Sequence, residues 1–400
     1  MVKNFNDDLK RRLVQPKTSV SQKANIDSST TDNGSLEREN ENSRSVGEKL
    51  GKKPKENLNT KLLRIKEYGI NLSGNLGIPL KLFENVFEAL VQSQPTDEQL
   101  ESRINIYSKG VEACKEHGHY IHQYTNAFVD LVQSKPKPTV EQLNIYSKGL
   151  EACKEHGHDP RHYTNAFVDL VQSKPTVEQL NIYSKGLEAC KIGHRPSDYT
   201  NAFIALVQSK PTDEQLKIYS KGLEACKENG HSPDYYTNAF VALVQSKPTD
   251  EQLKIYSKGL EACKENGHSP RYYTKAFVAL VQSKPTDEQL KIYSKGLEAC
   301  KEHRHSPDYY TNAFVALVKT EEILPSVNIG LRNFGKTLED KLSINANDFR
   351  DALLDLLRIT YEELHMKGFR DEKEIIRSLL DGHVPRYPRE SNKYSSYAIA

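Results

Sequence analysis

The chain has 400 residues, a formal net charge of +2 and a pI near 8.0, with 28% charged and 36% hydrophobic residues. A balance this close to neutral gives no strong global field toward nucleic acid or anionic membrane. No apolar run approaches the roughly 18 residues needed to span a bilayer, and the opening MVKNFNDDLKRRLVQ carries early acids and no apolar core, so neither a secretory nor a transit peptide is indicated.

Residues 1–57 are polar, charged and poor in aromatics, the composition of a disordered tail. Its basic spots, Arg11-Arg12 and Lys52-Lys53-Pro54-Lys55, read as solvated charge. Residues 58–82 read as an N-terminal cap, a short helix from Asn59 to Tyr68 stopped by Gly69 and followed by a loop.

A repeat array fills residues 83–319. Cys114, Cys153, Cys190, Cys226, Cys263 and Cys300 fall 39, 37, 36, 37 and 37 residues apart. A fixed period in this range is the signature of a solenoid. A divergent copy spans Phe83 to Gln123, with Glu101-Ser102-Arg103-Ile104 as an insertion. Five closer copies open at Tyr124, Tyr163, Tyr199, Tyr236 and Tyr273, and a half copy runs from Tyr310 to Val318.

Each unit reads as two helices. In the Tyr236 copy, Tyr236, Ala239, Phe240, Leu243 and Val244 form one apolar face of a first helix. Ser232-Pro233-Asp234 opens it and Pro248 bounds it. Thr249 and Gln252 form a capping box for a second helix, which ends at Gly267 as a left-handed C-cap. Its apolar arc contains Gly259, repeated as Gly110, Gly149, Gly186, Gly222 and Gly296. A mid-helix glycine costs roughly 1 kcal/mol relative to alanine, so its recurrence inside the apolar arc predicts close helix–helix approach. Lys254, Lys258, Glu261 and Glu265 form the opposite, solvated stripe.

Residues 320–384 read as a helical C-terminal cap, as a solenoid end requires. One helix carries Leu331, Phe334 and Leu338, a long one runs from Phe349 to Gly368, and a third spans Asp371 to Leu380. Residues 385–400 read as a flexible tail.

The six cysteines occupy one place in the repeat, so neighbours should lie about 8–10 Å apart, too far for a disulfide. They read as reduced core residues of a soluble protein in a reducing, cytoplasmic compartment. The Asn/Lys/Ser-rich composition and polar tails also fit a bacterial protein delivered into a host cell.

KGLEACKENGHSPD before Tyr235, and TNAF after Tyr236, resemble the pentatricopeptide signature. DEQLKIYSKGLEA is similar to a tetratricopeptide second helix. The resemblance covers about residues 83 to 318 and implies an all-α, right-handed αα-hairpin solenoid of about six 37-residue repeats. It further implies that the first helices line the concave surface.

On that surface the helical wheel leaves an amide row, Asn126, Asn165, Asn201, Asn238 and Asn312, broken by Lys275. A second row is Gln133, Gln172, Gln208, Gln245 and Gln282. Paired donors and acceptors at a regular spacing suit an extended peptide or protein partner; they are equally the polar residues of any exposed helix face. The pentatricopeptide resemblance implies single-stranded RNA instead, with Asn201 and Asp198, Asn238 and Asp234, and Asn312 and Asp308 as base-reading pairs. Charge weighs against that, since the Tyr236 copy has five Lys/Arg against four acids and the Tyr199 copy four against five.

Cys-x-x-His-x-His at Cys114, Cys153 and Cys300 contains metal-ligand types, but the cysteine belongs to the core and the histidines follow the helix end. No metal or cofactor is expected. P-loop, dinucleotide, HExxH and nucleophile-elbow motifs are absent, so the expectation is a non-enzymatic binding scaffold.

Overall fold

A computed structural model describes residues 58–93, 97–340 and 345–382, within one compact unit, Glu56–Ala400. The readings of 1–57 and 385–400 as tails lie outside the described residues. The described residues form seventeen α-helices and no strand.

They are α1 (Leu58–Leu76), α2 (Leu80–Gln92), α3 (Asp97–His117), α4 (Ile121–Gln133), α5 (Val140–His156), α6 (Pro160–Gln172), α7 (Val177–Cys190), α8 (Pro196–Gln208) and α9 (Asp213–Asn229). Then follow α10 (Pro233–Gln245), α11 (Asp250–Asn266), α12 (Pro270–Gln282), α13 (Asp287–His303), α14 (Pro307–Glu321), α15 (Ser326–Asp340), α16 (Ala346–Lys367) and α17 (Arg370–Leu380). The even-numbered helices α2 to α14 are the first helices, each packed on the next; the odd-numbered α3 to α15 do the same in a second layer. This is the all-α hairpin solenoid that the period implies.

Local chemistry sets the helix boundaries. Thr249 accepts from the Gln252 backbone N–H while the Gln252 amide oxygen accepts from the Thr249 N–H, and four other second helices have the same box. Such a cap is worth about 1 kcal/mol. Gly267 ends α11 at φ 74°. The first helices α6, α8, α10, α12 and α14 begin on proline, which fixes φ and loses no needed donor there. Ser232, however, turns its hydroxyl onto the Asp234 carboxylate and makes no backbone cap.

The hairpin is phased differently from the sequence reading. Between the layers, each second helix from α3 to α13 approaches the first helix after it, as α9 to α10, and not the first helix before it. Across the Ser-Lys-Pro-Thr linker the helices meet through side chains, Phe240 lying 6.1 Å from Tyr256 between ring centroids. The tight partner is the one across the short Gly-His-Ser-Pro turn, because Gly222 lets the Tyr236 ring lie directly on the α9 backbone.

Tyrosines fill the space between the layers. Tyr219 and Tyr236 stack with centroids 5.4 Å apart and 6° between planes, and Phe240 closes on Tyr219 at 5.1 Å. The pattern repeats to Tyr293, Tyr310 and Phe314. Each such pair contributes about 0.5–1.5 kcal/mol beyond its area burial. The second-helix phenols have partners too: Tyr219 Oη lies 2.6 Å from Thr237 Oγ1, which donates to the Pro233 carbonyl at 2.6 Å, whereas the first-helix hydroxyls of Tyr124, Tyr163, Tyr199 and Tyr273 are buried without one. Six copies share this pair.

One sequence reading needs correction. α1 does not stop at Gly69; it runs to Leu76, before Gly77 at φ 62°. Gly69 is instead a contact glycine, since a β-carbon there would fall 1.6 Å from Phe83 Cζ. The insertion in the first copy is absorbed as extra helix, α3 having 21 residues against 17 in α9. It carries a buried Arg103 whose Nη1 donates to Ser93 Oγ at 2.7 Å.

Candidate partner-binding face

The second-helix surface is bound to itself. Lys221 reaches Ser257 at 3.0 Å and Glu261 at 3.5 Å in the next copy, and Lys258 reaches Ser294 and Glu298. Glu261 also faces Lys301 at 3.9 Å, and Lys264 joins Glu224 and Glu228. The solvated stripe is therefore also a set of bridges between copies. Each exposed pair adds at most about 1 kcal/mol, yet together they leave this face electrically balanced.

The turn residues are bound as well. Asn229 Nδ2 donates to the Lys264 carbonyl at 3.1 Å and Asn266 Nδ2 to the Lys301 carbonyl at 3.2 Å. His119 Nε2 reaches the Gly157 carbonyl at 3.1 Å, His231 that of Gly267 at 3.3 Å and His305 that of Ala346 at 3.1 Å. These histidines tie one copy to the next. The six cysteines are free and buried, apart from these rings in chemistry, and among the described residues no cluster of His, Cys, Asp or Glu is arranged to hold a metal ion.

The first-helix surface is different. Gln133, Gln172, Gln208, Gln245 and Gln282 are exposed, as are Asn126, Asn165, Asn201, Asn238 and Lys275. Val241 is half-buried and Ala242 exposed between them. Asp130 and Asp169 add acid on α4 and α6. Beside α6 and α8 a polar cleft of about 630 Å³ is lined by His158, Asp159, His162, Asp169, Arg195 and Asp198. Burial holds the His158 imidazolium below its ordinary value, with Arg195 and His156 adding to the shift.

One member of the Asn row departs from expectation. Asn312 is buried, 5% exposed, and donates to the Asp308 carbonyl at 2.8 Å. Asp308 and Asp234 accept from the hydroxyls of Ser306 and Ser232. The Asn312–Asp308 pair is thus not presented to a base or a peptide, in a helix on which the C-terminal helices α15, α16 and α17 pack. Asp198 and Asn201 remain exposed together.

Sequence reasoning missed the tyrosines of this surface. Tyr235 and Tyr272 are 52% and 55% exposed, and the Arg271 guanidinium lies 4.3 Å over the Tyr235 ring. The signal was a doubled tyrosine, Tyr235-Tyr236 and Tyr272-Tyr273, where earlier copies have His162-Tyr163 and Asp198-Tyr199.

No helix among the described residues is long and apolar enough to cross a membrane. No family model, curated protein or solved structure matches this chain. What the chain itself establishes is an all-helical array of repeated hairpins.

Proposed function

We propose that the array is a non-enzymatic scaffold that binds a protein partner on its first-helix face. The observation that carries this is the contrast between the two faces. On the second helices the charges pair across copies, while the first helices present amides, an aromatic pair and small apolar residues in register. Tyr and Arg are the residue types enriched where interfaces concentrate their energy. The likeness to pentatricopeptide and tetratricopeptide repeats fits such a scaffold, and the reducing, cytoplasmic placement belongs to the same proposal.

Single-stranded RNA is the competing reading, favoured by the exposed pair Asn201 and Asp198. The charge distribution weighs against it, since Asp130 and Asp169 are exposed on the face a phosphate backbone would follow. The test places a photo-crosslinking residue at Gln245 or, as control, at Lys254 in the full chain, in lysate of the native source cells. Crosslinked polypeptide from Gln245 and not from Lys254 is expected. Equal crosslinking from both, or sub-micromolar binding of a U-rich RNA that weakens steeply with salt, would overturn the reading.

A further inference from the structure

The array already holds a helix on its first-helix face. α17 packs on α14, with Ile376 and Leu379 fully buried, and Tyr309 Oη donates to the Leu379 carbonyl at 2.5 Å. On α14 Asn312, Val315 and Ala316 are buried. On α10 and α12 the matching positions are open: Asn238, Ala242 and Lys275 are exposed, and Val241, Val278 and Ala279 half-buried. Tyr309 itself matches Tyr235 and Tyr272, whose rings are exposed.

Between α10 and α12 lies a groove of about 220 Å³ lined by Tyr235, Asn238, Ala242, Arg271, Lys275 and Val278. Its floor is small and apolar. Its rim differs from that of α14 in charge, for Arg271 and Lys275 stand where α14 has Asp308 and Asn312. The phenol that meets the Leu379 carbonyl on α14 has its counterpart here in Tyr235, which lies under the Arg271 guanidinium with Lys275 lining the same groove. Cations at a helix C-terminus complement both its free carbonyls and its dipole.

From these features we infer that the α10–α12 groove receives the C-terminal end of an amphipathic helix from a protein partner, an inference that rests on the first-helix face being the binding face. The partner's aliphatic stripe lies on Ala242 and Val278. Its last carbonyls meet the Tyr235 hydroxyl, and an acid at or just past its last turn faces Arg271 and Lys275. The α17 sequence has this form: Ile375, Ile376, Leu379 and Leu380 make the stripe and Asp381 follows.

The probe is therefore a labelled, C-terminally amidated peptide with the sequence of residues 369–381, titrated by fluorescence anisotropy against the full chain. Saturable binding is expected. Ala242→Arg fills the groove and Lys275→Glu reverses its rim; each should weaken binding about tenfold or more, the effect of losing roughly 1.4 kcal/mol. Tyr235→Phe should weaken it by a smaller factor. All three positions are exposed, and thermal melts of the variants check that the fold is kept. A peptide with Arg377→Pro, which cannot form the helix, should bind at least about tenfold more weakly. Absent binding, binding indifferent to Ala242→Arg, or equal binding of the proline peptide would each overturn the inference. Crosslinking from Gln245 would survive those results if only the helical form of the partner were wrong, and would vanish if the face itself were wrong.

Discussion

The Tyr236 phenol occupies the space that a β-carbon on Gly222 would need, 2.0 Å from its Oη and 2.1 Å from its Cζ. The same ring-on-glycine contact joins Gly110 to Tyr124, Gly149 to Tyr163, Gly186 to Tyr199, Gly259 to Tyr273 and Gly296 to Tyr310. Both partners are buried and the ring has a stacked neighbour on its other side, so it has little room to retreat. Gly222→Ala should therefore destabilise the array by about 1–3 kcal/mol, although alanine gains about 1 kcal/mol of helix propensity over glycine. Urea denaturation of Gly222→Ala, Tyr236→Leu and the double variant checks it. The double variant should be more stable than the sum of the single losses allows, the mark of a direct contact; strict additivity would refute the packing account.

Tyr219 and Thr237 make a polar bond inside the aromatic core. Thr237→Val keeps the shape of the side chain and removes the oxygen 2.6 Å from the Tyr219 hydroxyl. A buried polar group deprived of its partner costs about 1–3 kcal/mol. Tyr219→Phe removes the other member and should recover part of that loss in the double variant, read from the same denaturation curves.

These contacts also mark how far the sequence is legible. The period, the capping boxes at Thr249–Gln252 and the left-handed Gly267 follow from local spacing, so they can be read without coordinates. That a glycine lies in the apolar arc of each second helix is equally local, but which residue presses on it is not. Tyr236 is fourteen positions beyond Gly222, and only the packing of α10 on α9 brings them together. The burial of Asn312 is more distant still, because the helices that pack on α14 after the last copy belong to a segment outside the repeat. Tyr235 was visible as half of a doubled tyrosine, yet an exposed aromatic acquires meaning only beside Arg271 and the covered Tyr309.

The thiols give a direct readout of core integrity. Burial pushes the Cys114 thiol up to about 12 and raises the other five well above the ordinary thiol value. The thiolate is the reactive form, so at pH 8 iodoacetamide should leave all six native cysteines unmodified. Labelling, followed by mass spectrometry, should appear only as urea opens the array. Rapid modification of any one thiol in native buffer would show that its copy is not packed as described.

His158 makes the array sensitive to mild acid. Its native value is depressed, first by burial and then by Arg195 and His156, while the Gly193 carbonyl and Asp198 pull in the opposite direction. The unfolded chain therefore takes up a proton at His158 more readily than the folded one. Stability from this group is complete above the ordinary histidine value of roughly 6.5 and is lost as pH falls through the lower native value. Thermal midpoints at pH 7.5 and pH 5.5 should differ more in the wild type than in His158→Gln, which has no charge to gain. The twelve remaining histidines are common to both proteins, so the difference isolates this ring; parallel midpoints would mean that it is solvated enough to titrate normally.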